Sequence, residues 1–148
     1  MDPAHEFSRV LGPLRRSVLR RTREAAGLPD LPDAQIELLR TLEAMPRVGV
    51  REVAEHLQVA PSTVSNLVRT MLAKGLVERR VSATDLRAVE LEASPAALDL
   101  LRRYDEVSTK LIDEAIGRLG AADRRALLRA IPALSQLLAS IEAVDLHV

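Results

Sequence analysis

Apolar residues recur at helical spacing through most of the chain and at a spacing of two over one short interior stretch. From Pro3 to Ala26, the positions Phe7, Val10, Leu11, Leu14, Val18 and Ala25 keep to one helical face, and Gly27 stands where a C-terminal glycine cap belongs. The two prolines of LPDLPD (28–33) predict a turn, after which Ile36, Leu39 and Leu42 trace a second helix stopped by Pro46. A short stretch from Val48 to Val50 follows. Val53, Ala54 and Leu57 predict a brief third helix, and Pro61 opens a fourth only three residues later, which makes a tight helical corner.

The fourth helix carries Val64, Leu67, Val68, Met71 and Leu72 on one side and ends at Lys74 and Gly75, a cation and a glycine. There the period drops to two. Leu76 to Val81 and Val89 to Ala93 read as the arms of a β-hairpin with a polar tip from Ser82 to Arg87. Ser94 and Pro95 supply an N-cap and a first-turn proline for a long fifth helix with Leu98, Leu101, Leu111, Ile112 and Leu119 on its stripe. After Gly120 a sixth helix uses Leu127, Leu128, Ile131, Leu134, Leu138 and Ile141, with a bend expected at Pro132.

Composition narrows the class. A length of 148 residues suits one domain, or one domain with an extension, and the 47% hydrophobic share rests on aliphatic residues, with one Phe, one Tyr and no Trp. The 21 basic and 21 acidic residues cancel, so any basic surface must be local. The absence of cysteine excludes disulfides, thiolate zinc sites and thiol redox sensing. His5, His56 and His147 stand singly without an i, i+4 partner, so neither a metal nor a cofactor is expected. MDPAHEFSRV lacks the basic and apolar regions of a signal peptide, and no uninterrupted apolar run approaches the roughly 20 residues of a membrane span. A cytoplasmic protein without membrane contact is the expectation. With no G-x-S-x-G, no glycine-rich phosphate loop and no His and carboxylate constellation, an enzyme is not expected.

On a wheel at about 100° per residue, Ser62, Asn66, Arg69 and Ala73 centre on the face of the fourth helix opposite its apolar stripe, flanked by Thr63 and Ser65. An isolated polar stripe is ordinarily a solvated helix face. Here its side chains are short toward the N-terminal half, which lets a helix sit close to base edges in a major groove, and Ser, Asn and Arg supply the groups that read them. A short helix and tight turn precede the row, and a hairpin with Arg79, Arg80 and Arg87 follows. That order predicts a mainly α fold with a small β-hairpin wing, a winged helix-turn-helix. Between Arg47 and Arg87 there are seven Lys or Arg against four acids, so the neutral total conceals a locally basic stretch.

VREVAEHLQVAPSTVSNLVRTMLAKGLVERR, followed by ATDLRAVELEASPAALDLL, resembles the winged-helix core of the MarR family of bacterial transcriptional regulators. The resemblance runs from helix one to helix six without a large insertion. It implies a single domain over 1–148, with residues 33–93 as the DNA-binding lobe and 3–28 and 95–144 as flanking dimerisation helices. Such proteins are homodimers that bind double-stranded DNA, usually as repressors. Carried over residue by residue, it sends Ser62, Thr63, Ser65, Asn66 and Arg69 into the major groove and Arg87 into the adjacent minor groove, with Lys74 and Arg79 also on the DNA side. Asp85 would orient Arg87 through a charge-assisted hydrogen bond; the alternative is a simple turn salt bridge, worth at most about 1 kcal/mol.

Three positions depart from the common pattern. Gln58 stands where many relatives have glycine, Ala60 where many have a capping serine, and Asn66 where arginine is frequent. Asn pairs bidentately with adenine, so a different operator is expected. The surplus apolar stripe on helices one, five and six calls for a two-fold partner, and the dimer for a pseudo-palindrome with half-sites about one helical turn apart. The resemblance also implies a crevice for a small-molecule effector. Arg16 and Arg20 are the candidates for meeting an anionic one, against a solvated face or phosphate contacts, and the near absence of aromatic residues leaves little to stack on a planar molecule. A winged helix used only for protein contacts is the rival reading, which survival of DNA binding in an Asn66→Ala, Arg87→Ala double variant would favour.

Overall fold

The structure, a computed structural model, describes residues 2–146, so His147 lies outside the described residues. The chain divides into two compact units, the first ending at Ser108 and the second beginning at Thr109. The first contains α1 (Pro3–Ala26), α2 (Asp33–Ala44), α3 (Val50–Leu57), α4 (Pro61–Ala73), the hairpin strands β1 (Val77–Val81) and β2 (Val89–Ala93), and the start of α5 (Pro95–Gly117). The second contains the rest of α5 and α6 (Ala121–Ala143).

Local signals set these boundaries. Asp2 accepts a hydrogen bond from the Ala4 amide at 3.0 Å and caps α1, while Gly27 closes it at φ 62° with its amide on the Arg23 carbonyl. α3 ends on Gln58 at φ 55°, a left-handed conformation held by a residue with a Cβ, at a cost of about 1 kcal/mol. Arg47, in the turn before α3, is left-handed as well, at φ 59°. α4 starts at Pro61 behind Ala60, which offers no side-chain cap.

The core of the first unit gathers Leu38, Leu39 and Leu42 of α2, Val53 of α3, Val64, Val68 and Met71 of α4, Leu91 of β2 and Leu101 of α5, each at most 2% exposed. Each such side chain contributes roughly 1.5–3 kcal/mol of transfer free energy. The strands pair antiparallel, with Val77 opposite Ala93 and Val81 opposite Val89. Val48 adds a bridge to Leu91, amide to carbonyl in both directions at 3.1 and 2.7 Å, so the stretch before α3 is tied to the hairpin. Nothing in its own three residues announces that partner.

Ser94 joins three elements. Its hydroxyl donates to the Gly75 carbonyl at 2.7 Å and accepts from the Ala97 amide at 3.1 Å, while its own amide donates to Leu76 O at 3.0 Å. The end of α4, the end of β2 and the start of α5 therefore meet on one side chain that is 3% exposed.

α5 buries only Ala97, Leu101 and Ser108, and Leu119, expected on its stripe, lies beyond its end at Gly117. α6 runs through Pro132 to Ala143 and buries none of its residues. By length and composition it is the one helix among the described residues able to cross a membrane, with mean hydropathy 1.2 over its most apolar window. Arg129, Ser135 and Gln136 interrupt that run, which is why no continuous apolar stretch shows in the sequence. Its leucines and isoleucines stand at positions 127, 128, 131, 134, 137, 138 and 141, all within about half of the helix circumference, which suits a helix partner better than an all-round apolar solvent.

Candidate nucleic-acid interface

α4 turns its apolar residues inward and leaves Ser62, Thr63, Asn66, Arg69 and Ala73 exposed, with Ser65 half-buried. Thr70 spends its hydroxyl on the Asn66 carbonyl at 3.3 Å, but the side chains of Ser62, Asn66 and Arg69 have no partner among the described residues. Their donors and acceptors face outward and unspent. Lys74 behaves otherwise: its ammonium donates to Gln35 Oε1 of α2 at 2.7 Å. It lies twelve residues from Ser62, about 18 Å along the helix axis, and is committed inward to a largely buried amide.

The hairpin separates its charges. Glu78 and Glu92 sit directly opposite each other, an arrangement that repels. Arg80 relieves it by bonding Glu92 and reaching Glu78 at 3.5 Å, and Arg47 approaches Glu92 at 3.6 Å. The Arg80 guanidinium holds the Glu92 carboxyl below the usual carboxylate range, and Glu92 holds Arg80 above its ordinary value. Carrying the charge count on to Ala93 adds Glu90 and Glu92, so the basic excess seen along the sequence shrinks. Two of its cations are neutralised here. Arg51, Arg69, Arg79 and Arg87 are the guanidinium groups of the lobe left without an ion pair among the described residues, and all four are exposed.

The wing tip is an ordered turn. Ser82, 4% exposed, accepts from the Thr84 and Asp85 amides at 3.3 and 3.4 Å, its own amide bonds the Ala88 carbonyl, and Ala88 N donates to Asp85 O at 3.0 Å. The expected side-chain bond between Asp85 and Arg87 is not what forms. Asp85 Oδ1 accepts from the Arg87 backbone amide at 3.0 Å, because a carboxylate two residues upstream in a tight turn reaches that amide sooner than a flexible guanidinium. Asp85 thus fixes the backbone that presents Arg87 and leaves the guanidinium free.

Away from this face, a cavity of about 360 Å³ opens between α1, α2 and α5 within the first unit, lined mainly by aliphatic side chains such as Leu19, Leu31, Ile36 and Leu101. Three guanidinium groups border it, each already matched to a carboxylate. Arg15 bonds Asp33 at 3.2 Å, Arg23 bonds Asp30 at 2.8 Å, and Arg40 bonds Asp105 at 2.5 Å and Glu43 at 3.1 Å. The single tyrosine, Tyr104, lines it too, with the Arg40 guanidinium 6.0 Å from its ring centroid, and burial pushes its hydroxyl up. The expectation of little aromatic surface therefore has a local exception.

Arg16 and Arg20 do not border this cavity. Arg15, Leu19 and Arg23 fall at i, i+4 and i+8 on one stripe of α1 and border both this cavity and a second, more open recess, whereas Arg16 and Arg20 sit about 100° further round and border only that recess, with Gly12 and Pro13. Nothing in the sequence set Arg15 and Arg23 apart from the other arginines of α1, or singled out Arg40, because Asp33, Asp30 and Asp105 lie outside their helices. Among the described residues no cluster of His, Asp and Glu is arranged to hold a metal ion.

A helix, a tight turn, a second helix with an open polar face, and a two-stranded wing define a winged helix-turn-helix protein. Residues 30–88 match the model of the MarR family. Among solved structures the chain is similar to MepR, a transcription regulator of the Staphylococcus aureus multidrug efflux pump MepA, at 18% identity and a TM-score of 0.72 over 95% of this chain and 99% of that one. It is similar to the transcriptional regulator Tm0710 of Thermotoga maritima at 22% identity and a TM-score of 0.67, with 95% and 99% covered. A MepR mutant bound to an oligodeoxyribonucleotide gives 20% identity, a TM-score of 0.68 and the same coverage. At these identities the likeness is one of fold. Among curated proteins, none matches the sequence.

Proposed function

We propose that the protein is a cytoplasmic, homodimeric, sequence-specific DNA-binding repressor that reads a pseudo-palindromic operator. The observation that carries this reading is the outward face of α4, where Ser62, Asn66 and Arg69 stand unpartnered beside a wing whose Arg79 and Arg87 are also unpaired among the described residues. Short side chains let α4 approach base edges, with Thr63 and Ser65 beside them, and unpaired guanidinium groups suit phosphates and a narrow minor groove. Asp85 supports Arg87 through the backbone. Lys74 joins the DNA-facing set only by releasing Gln35.

The dimer reading draws on exposed stripes. Val10, Leu11 and Leu14 of α1 are 48–62% exposed, and Leu128, Ile131, Leu138 and Ile141 of α6 are 49–62% exposed. A helix that buries nothing of its own gains little from folding alone, so a second copy covering residues 3–28 and 95–144, with 33–93 left as the reading lobe, is the economical arrangement.

The α1, α2 and α5 cavity is our candidate for an effector that releases DNA. An anionic effector would displace an aspartate from Arg15, Arg23 or Arg40. One MepR structure of the same fold carries ethidium bromide, a planar aromatic compound, at 20% identity.

Selection of bound sequences from a random DNA pool, run with wild type and Arg87→Ala at two salt concentrations, tests the central claim. A pseudo-palindrome enriched by wild type and weakened in the variant, with affinity falling steeply with salt, is the expected result. No enrichment at either salt refutes it.

A further inference from the structure

Three wing residues remain to be explained. Leu86, at the tip, is 84% exposed, and behind it the directly paired Val81 and Val89 are 62% and 49% exposed. Paired residues of antiparallel strands project to the same face, so Val81 and Val89 extend the row that begins with buried Val77 and Ala93 and passes through Arg79 and Leu91. The wing therefore carries this face outward to Val81 and Val89, with Arg79 within the row and Arg87 next to Leu86 at the tip, both unpaired among the described residues. The tip is held by its own hydrogen bonds from Ser82 and Asp85, so an aliphatic side chain is presented to solvent on a fixed turn.

Solvent gives no reason for such a tip, and a hairpin edge with exposed valines carries an aggregation hazard. One surface matches its chemistry: the wall of a DNA minor groove, where the apolar C–H faces of deoxyribose lie between anionic phosphates. Proteins that enter this groove combine arginine with aliphatic wedges. We propose that Leu86, backed by Val81 and Val89, packs against the sugar wall of the minor groove while Arg87 enters it, so that part of the wing's affinity is apolar and independent of salt. The inference rests on the DNA-binding reading above and adds to it an interaction that charge cannot supply. The two unpaired arginines favour DNA over an apolar protein partner, since a protein groove would have to match both cations as well as the leucine.

Salt dependence separates the two kinds of interaction. Removing one cation from a phosphate lowers the slope of log K against log salt by about one, whereas removing an apolar group lowers K and leaves the slope unchanged. Binding of the selected operator would be followed by fluorescence anisotropy across a salt series for wild type, Leu86→Ala, Leu86→Ser, Leu86→Met and Arg87→Ala. Because Leu86 is almost wholly exposed, its variants should fold as wild type does, which a urea midpoint checks. The expected result is a loss of roughly fivefold for Leu86→Ala and Leu86→Ser with the wild-type slope, near-recovery by Leu86→Met, and a shallower slope for Arg87→Ala. Unchanged affinity in Leu86→Ala, while wild type binds and Arg87→Ala is weakened, overturns this inference alone. Absence of binding by wild type overturns the DNA-binding reading with it.

Discussion

Replacing Ser94 by alanine removes one oxygen atom and should loosen three elements at once. The hydroxyl accepts from the Ala97 amide at 3.1 Å, which is the N-cap of α5, and donates to the Gly75 carbonyl at 2.7 Å, which ties that cap to the turn after α4. Loss of an N-cap costs about 1 kcal/mol, and loss of a hydrogen bond to a shielded carbonyl about another. At 3% exposure water cannot take the hydroxyl's place. The expected destabilisation of Ser94→Ala is therefore about 2 kcal/mol, read from urea unfolding at a fixed protein concentration, because any subunit association makes the midpoint concentration-dependent. Ser94→Thr keeps both bonds and should lose less than half as much. A cost below about 0.5 kcal/mol for Ser94→Ala would refute the assignment of Ser94 as the joint between α4, β2 and α5.

Two further outcomes follow from the backbone and the charges. Gln58→Gly should stabilise the lobe by about 0.5–1 kcal/mol in the same assay, since it relieves a left-handed residue while keeping the backbone bond of Val59 N to Ala54 O at 3.1 Å; unchanged or lowered stability would mean that the corner carries no strain. Glu92 has its folded carboxyl held below the unfolded value by Arg80, so its contribution to stability is complete above the ordinary carboxylate range and is lost as pH falls through the depressed value. The stability difference between wild type and Glu92→Gln, measured by thermal melts across acid pH, should therefore shrink below roughly pH 4.5, and parallel curves would show that Glu92 makes no favourable ion pair.

Features governed by neighbours in sequence were legible without coordinates. Pro3 and Gly27 bound α1, Pro61 and Gly75 bracket α4, and Ser94 caps α5, because proline fixes φ, glycine takes a left-handed turn freely, and a serine hydroxyl reaches an amide three residues on. The left-handed Gln58 was legible as a departure from a glycine pattern, whereas the left-handed Arg47 was not, since nothing in PRVG marks it. The polar face of α4 followed from helical phase alone. Which of its cations remain free did not: Arg80 and Arg69 look alike in the sequence, but a cross-strand register brings Glu92 to one and nothing among the described residues to the other.

The sequence by itself determined the order of elements, the inward and outward faces of α4, and the apolar stripes left over on α1 and α6, because each depends on periodicity and on backbone preferences acting over a few residues. Only the tertiary structure decided the pairings between elements. It took Lys74 to Gln35, linked Val48 to Leu91, turned Asp85 onto a backbone amide, matched Arg15, Arg23 and Arg40 each to an aspartate, and set Tyr104 in the wall of a cavity. The reason is physical. A salt bridge or a cavity wall requires atoms from distant segments to meet within a few ångströms, and that distance is fixed by how helices pack and strands register, which no local pattern encodes.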